Sequence, residues 1–150
     1  MPSSSRAKRP ARKKSARPVR KQPETLRLRT VAPSLTVNDL PRSLRWYRDV
    51  LGFKVSQEWK SGGKVMGAAV RAGTVEFWLG QDDFAKGRDR AKGEGFRLYC
   101  TTAQDIDQLA DVIKARGGVL EQEPADQPWG ARDFTVLDPD GFKVTITTSL

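Results

Sequence analysis

The sequence has no histidine at all, a single cysteine, no long apolar run, and no acidic residue before position 24. Without histidine there is no Ser-His-Asp or Cys-His nucleophile pair, no histidine general base, and no zinc or iron site built on imidazole. A metal would have to rest on carboxylates and weak neutral oxygens. Cys100 has no internal partner, so no disulfide ties the chain to an oxidising compartment, and the cytoplasm is the expected location. No stretch approaches the roughly 18 to 20 apolar residues of a spanning helix, and the amino end has no signal-peptide core, so no membrane partner is expected.

What is present divides into two parts by charge. The formal charge is +9, from 27 basic and 18 acidic residues in 150. Residues 1–22 hold nine of the basic groups and none of the acids, so the remainder carries 18 of each and is neutral. Residues 1–25 therefore read as a disordered basic tail, punctuated by Pro2, Pro10, Pro18 and Pro23 and too poor in apolar side chains to offset the entropy of ordering. Its cations, Arg9, Arg12, Lys13 and Lys14 among them, are candidates for non-specific contact with a polyanion such as nucleic acid.

Residues 26–150 read as one domain with an internal repeat. Module one spans about 26–81, a charged connector 82–94, and module two about 95–148. Leu26 to Val37 is expected as a strand. Asn38 or Asp39 then caps a helix with Pro41 in its first turn and Leu40, Leu44, Tyr47 and Leu51 on one face, and Gly52 stops it. Strands are expected over Phe53–Trp59, Val65–Arg71 and Thr74–Leu79, the last two joined through Ala72-Gly73. The second half repeats this order. Phe96, Leu98 and Cys100 mark one strand face, Ile106, Leu109, Ala110 and Ile113 a helical stripe ended by Gly117, and Val119–Glu123 the next strand. After a proline-containing loop comes a hairpin in which Phe134 and Val136 face Val144 and Ile146 across Asp138-Pro139-Asp140-Gly141, the chemistry of a type I turn with a glycine bulge.

The order strand, helix, strand, strand, strand occurs twice. It carries Val37-Asn38-Asp39-Leu40 with Trp46-Tyr47-Arg48-Asp49-Val50-Leu51-Gly52-Phe53, and later Trp129-Gly130-Ala131-Arg132-Asp133-Phe134 running into Asp138-Pro139-Asp140-Gly141. These stretches resemble the vicinal oxygen chelate superfamily, which includes glyoxalase I, extradiol dioxygenases and bleomycin-resistance proteins. The resemblance implies an α+β fold of two tandem βαβββ modules forming a cupped, barrel-like mixed sheet with a ligand cavity, commonly in a homodimer. In the family's metalloenzymes four inward side chains, usually histidine or glutamate, hold a divalent metal. Those places fall here on Ala32, Glu76, Gly95 (or Phe96) and Thr145, of which only Glu76 is a strong ligand. Neither a metal site nor any other cofactor is expected.

Strand alternation sets Thr74, Glu76 and Trp78 on one face, Arg97 and Tyr99 on that of the fifth strand, and Lys143, Thr145 and Thr147 on that of the last. Glu76, Trp78, Arg97, Tyr99 and Thr145 are accordingly the candidate ligand-binding residues, an aromatic surface with a few polar groups. Glu76 either meets the ligand or pairs with Arg97 within the barrel. Trp46 and Trp59 are expected in core or dimer packing, and Cys100 as an inert buried thiol. The leading functional expectation is metal-independent binding of a small, partly apolar molecule, by sequestration or carriage. An alternative is a lyase or isomerase in which Glu76, desolvated beside Trp78, is a general base of raised pKa or a residual metal ligand. A third is a nucleic-acid-associated protein acting through its tail.

Overall fold

The structure, a computed structural model, describes residues 10, 11, 16–18 and 26–149. Contacts divide the chain into Met1–Thr30 and Val31–Leu150. In the first unit the described residues 26–30 are exposed and form neither helix nor strand. Arg9, Arg12, Lys13 and Lys14 lie outside the described residues. The second unit runs β1 (Ser34–Val37), α1 (Leu40–Asp49), β2 (Lys54–Ser61), β3 (Lys64–Ala72), β4 (Val75–Gln81), β5 (Arg97–Thr102), α2 (Ile106–Ala115), β6 (Val119–Asp126), β7 (Arg132–Leu137) and β8 (Lys143–Thr148). No helix among the described residues is long and apolar enough to cross a membrane.

Both modules have the expected βαβββ order, and each makes its own four-stranded mixed sheet. The strand orders are β1-β4-β3-β2 and β5-β8-β7-β6, with the first strand of each module parallel to its last and the other pairs antiparallel. The sheets are not hydrogen-bonded into a closed barrel, so the expected barrel-like surface is instead two open sheets. The first strand is also shorter than the sequence suggests, starting at Ser34 rather than Leu26. The Pro33 carbonyl takes the last hydrogen bond of the ladder, from the Trp78 N–H at 2.9 Å, but Pro33 has no N–H to give in return, and Leu26, Leu28 and Val31 before it are exposed.

The helices begin and end where local chemistry dictates. The Asp39 side chain accepts from the Arg42 N–H at 3.1 Å and Asp105 from the Gln108 N–H at 2.9 Å, each satisfying an orphan donor of the first turn. One core then joins both helices to both sheets. It includes Leu35, Leu40, Tyr47, Phe53, Phe77 and Leu79 from module one, with Ile106, Ile113, Phe134, Val136 and Val144 from module two. Each such side chain contributes roughly 1.5–3 kcal/mol by leaving water, and the Phe53 and Phe77 rings meet at 5.2 Å.

The β7–β8 turn locks the modules together. Gly141 donates its N–H to the Asp138 carbonyl at 3.0 Å, Asp138 donates to the Phe142 carbonyl at 2.9 Å, and Gly141 takes φ +89°, which is the expected turn and bulge. The Asp138 carboxylate, 5% exposed, accepts from the N–H groups of Asp140 and Phe142 at 2.9 and 2.8 Å and from the Tyr47 hydroxyl at 2.9 Å. Burial raises it to about 6 against the downward pull of those three donors, while burial and Asp138 push the Tyr47 phenol well up. Gln127-Pro128-Trp129-Gly130 builds the same turn between β6 and β7. Gly130 donates to the Gln127 carbonyl at 3.0 Å, Gln127 to the Ala131 carbonyl at 2.7 Å, and Gly130 has φ +92°. Of the proline-containing loop expected after Glu123, residues 124–126 instead continue β6, and only residues 127–130 form the turn that carries Trp129.

Candidate ligand-binding site

The side chains that face away from the core form a different surface on each sheet. On the first sheet β4 offers Glu76 and Trp78. The β3–β4 register sets Arg71 directly opposite Glu76, and the two join at 2.6 Å. The Trp78 Nε1–H donates to the other Glu76 oxygen at 2.9 Å. These two contacts, the indole first and then the guanidinium, hold the Glu76 carboxylate below its usual range. The sequence expectations of a raised Glu76 and of a Glu76–Arg97 pair are therefore both corrected. The cross-strand cation on the same hairpin reaches Glu76, and a carboxylate already accepting two donors is a weaker base. Trp59 meets the Trp78 ring edge-on at 6.0 Å and rests its own ring over Gly67, where an added Cβ would come within 3.2 Å. Trp59 thus belongs to this aromatic surface and not to the core.

On the second sheet the structure brings Arg97, Tyr99 and Thr145 together. Tyr99 lies opposite Thr145 in the β5–β8 ladder, and Thr135 opposite Thr145 in β7–β8. The Thr135 and Thr145 hydroxyls are buried and 2.7 Å apart, and Arg97 Nη1 donates to them at 3.1 and 3.2 Å. The guanidinium carbon stands 5.9 Å from the Tyr99 ring centre. No hydrogen bond or ring contact among the described residues links this group to Glu76 and Trp78, so the five candidates form two clusters and not one.

Arg97 and Tyr99 line a pocket of about 260 Å³ together with Gln122, Gln127, Trp129 and Asp133. The last four were missed by sequence reasoning. Asp133 shares a strand face with Thr135, and alternation leaves open whether such a polar face meets water; here Asp133 is 2% exposed. Its Oδ1 accepts from the amides of Gln122 at 2.9 Å and Gln127 at 2.8 Å. Trp129 stands at the rim, 55% exposed. A larger cleft of about 350 Å³, lined by Leu51, Phe53, Val75, Leu109 and Cys100 among others, has no charged lining residue to orient a ligand. Burial in that cleft pushes the Cys100 thiol up, as suits an inert cysteine.

The inherited metal places do not fit a metal. Ala32 and Gly95 have no donor atom, and Phe96 has an apolar ring. Glu76 is engaged by Arg71 and Trp78, and the Thr145 hydroxyl already meets a guanidinium that would repel a cation. Among the described residues no three acidic or cysteine side chains converge.

A family model described as Glyoxalase/Bleomycin resistance protein/Dioxygenase superfamily matches residues 27–146. A Synechocystis protein named "Probable lactoylglutathione lyase" is 28% identical over 116 residues, covering 75% of this chain and 88% of that protein. A bleomycin resistance protein of Geobacillus stearothermophilus is 29% identical over 119 residues, covering 72% and 87%. Among solved structures, TioX from Micromonospora sp. ML1 superposes with a TM-score of 0.66 at 22% identity, over 81% of this chain and 99% of that one, which is a likeness of fold.

Proposed function

This chain belongs to the Glyoxalase/Bleomycin resistance protein/Dioxygenase superfamily, and from that premise we propose that it binds a small, partly flat molecule on the second sheet without a metal, by sequestration or carriage. The observation that carries this reading is the placement of Arg97. Its guanidinium is fixed by Thr135 and Thr145 at one of the inherited metal places and stands beside Tyr99 in a pocket rimmed by Trp129. A fixed cation beside an aromatic ring suits a ligand carrying a carbonyl or carboxylate on a planar body. Such a site can hold a molecule. Of the activities named among similar proteins, drug binding of the bleomycin-resistance kind agrees with this chemistry better than the lyase reaction does. The Trp59–Trp78 surface of the first sheet is a second contact for the same ligand. A homodimer, common in the family, is the assembly in which we place it.

The lyase or isomerase reading keeps Glu76 as its base, and the two donors on that carboxylate count against it. The test combines elemental analysis with tryptophan fluorescence against a panel of planar small molecules. The expected result is no stoichiometric transition metal, quenching on binding, and loss of binding in Arg97→Ala and Tyr99→Ala. Trp78→Ala weakens binding about tenfold, because an aromatic pair contributes about 0.5–1.5 kcal/mol beyond burial. One tightly held Ni, Mn, Fe or Zn per chain, lost together with activity in Glu76→Ala, would overturn the proposal.

A further inference from the structure

Asp133 is a buried carboxylate to which no cation among the described residues comes within ion-pair distance. It sits on β7 at 2% exposure, and its Oδ1 takes two amide N–H groups, from Gln122 and Gln127. Its Oδ2 makes no hydrogen bond with any described residue and, since no fully enclosed side-chain polar atom among them lacks a partner, it is open to the pocket of about 260 Å³ that the side chain lines. No described ion pair includes it: the guanidinium in the same pocket gives its hydrogen bonds to Thr135 and Thr145, and Arg132 next along the chain goes to Asp107 and Asp126. Its cross-strand neighbour, Thr147, points its hydroxyl proton at the Thr148 carbonyl. Buried carboxylates are ordinarily paired with a cation, because two neutral amides offset only part of the desolvation. A local rule broken at the bottom of a pocket marks a place where a ligand supplies what the fold withholds.

We infer that Asp133 Oδ2 anchors a cationic N–H donor of the ligand, which makes the ligand an aryl-bearing alkylamine, amidine or guanidine. Trp129 and Tyr99 supply the faces against which such a cation or its ring packs. Gln122 and Gln127 hold the carboxylate in place, so the anchor is rigid before the ligand arrives. Arg97, with Nη1 already engaged by the two hydroxyls, serves an acceptor group elsewhere on the same molecule. The inference rests on the binding site proposed above and adds the chemical class of its occupant.

Benzamidine and benzamide test it, since they share a ring and a shape and differ in the charge of the head group. Full-length protein is titrated with each by calorimetry and tryptophan fluorescence. Benzamidine is expected to bind at least about tenfold more tightly, the difference between a charge-assisted and a neutral hydrogen bond. In Asp133→Asn that preference falls to about twofold or less, while the melting temperature holds or rises because a buried charge has gone. Asp133→Ser provides the same comparison if the asparagine variant does not fold, and the wild-type ratio decides on its own if neither does. Equal binding of the two probes, tighter binding of benzoate, or an Asp133→Asn variant that keeps the preference would overturn the inference. Neutral aromatics that bind through Tyr99 with no cation preference would sink the inference alone, whereas no binding of any planar molecule would sink the site as well.

Discussion

Replacing Tyr47 by Phe removes one hydroxyl from the place where the two modules meet, and the structure sets both the size and the pH dependence of the result. Tyr47 is fully buried and donates at 2.9 Å to Asp138, which is 5% exposed. The ring stays in Tyr47→Phe, so its contacts with Phe53 and Phe77 survive and the loss is that of one hydrogen bond to a buried carboxylate. Leaving such an acceptor unsatisfied costs about 1–3 kcal/mol. Asp138 is raised from 3.8 to about 6, chiefly by burial. A carboxyl raised on folding contributes stability that is fully present below about pH 4 and lost as pH rises through about 6, an effect of ~3 kcal/mol at most. The Tyr47 hydroxyl opposes that rise, so removing it pushes Asp138 higher and steepens the loss. Urea unfolding at about pH 5 and about pH 7.5 reads both effects, with the variant destabilised by ~2 kcal/mol at the higher pH and by ~1 kcal/mol or less at the lower. Equal destabilisation at both pH values, or a larger one at the lower, would refute the reasoning, because the hydroxyl would then not be acting on the ionised carboxylate.

Asp82, 6% exposed, is held well below the usual carboxylate range, first by the Lys92 ammonium at 2.7 Å, then by the Phe84 N–H and Arg90. A carboxyl lowered on folding gives stability above about pH 4 that is lost as pH falls, so Lys92→Met is expected to lower the melting temperature at neutral pH and to flatten the acid limb of a stability curve; an unchanged acid limb would count against this. The basic tail is expected to be dispensable for folding yet to confer salt-sensitive attachment to a polyanion. The comparison is full-length protein against the chain starting at Gln22, in melting temperature and in DNA binding. Engagement of all nine cations would give a slope of roughly −8 in log K against log salt, and equal DNA binding by both chains would dismiss the role.

Local chemistry was enough to read the architecture. The cap at Asn38 or Asp39, the Gly52 and Gly117 stops, the apolar stripes through Leu40, Tyr47 and Ile106, and the Asp138–Gly141 turn all depend on residues within four positions of one another, and the structure has each of them, with Asp39 as the cap. The repeat of those signals was enough to identify two modules. The partner of Glu76 was decided elsewhere. A turn at Ala72-Gly73 would set Arg71 opposite Thr74, but the chain turns at Gly73-Thr74, where Gly73 has φ +57°, and Ala72 then faces Val75 and Arg71 faces Glu76. A shift of one residue in a two-residue turn moves every cross-strand pair by two, and composition does not report it. Asp133 escaped for a related reason. Period-2 alternation tells which residues share a face but not whether that face meets water, and only the packing of Gln122, Gln127 and Trp129 over β7 turned a polar strand face into the floor of a pocket.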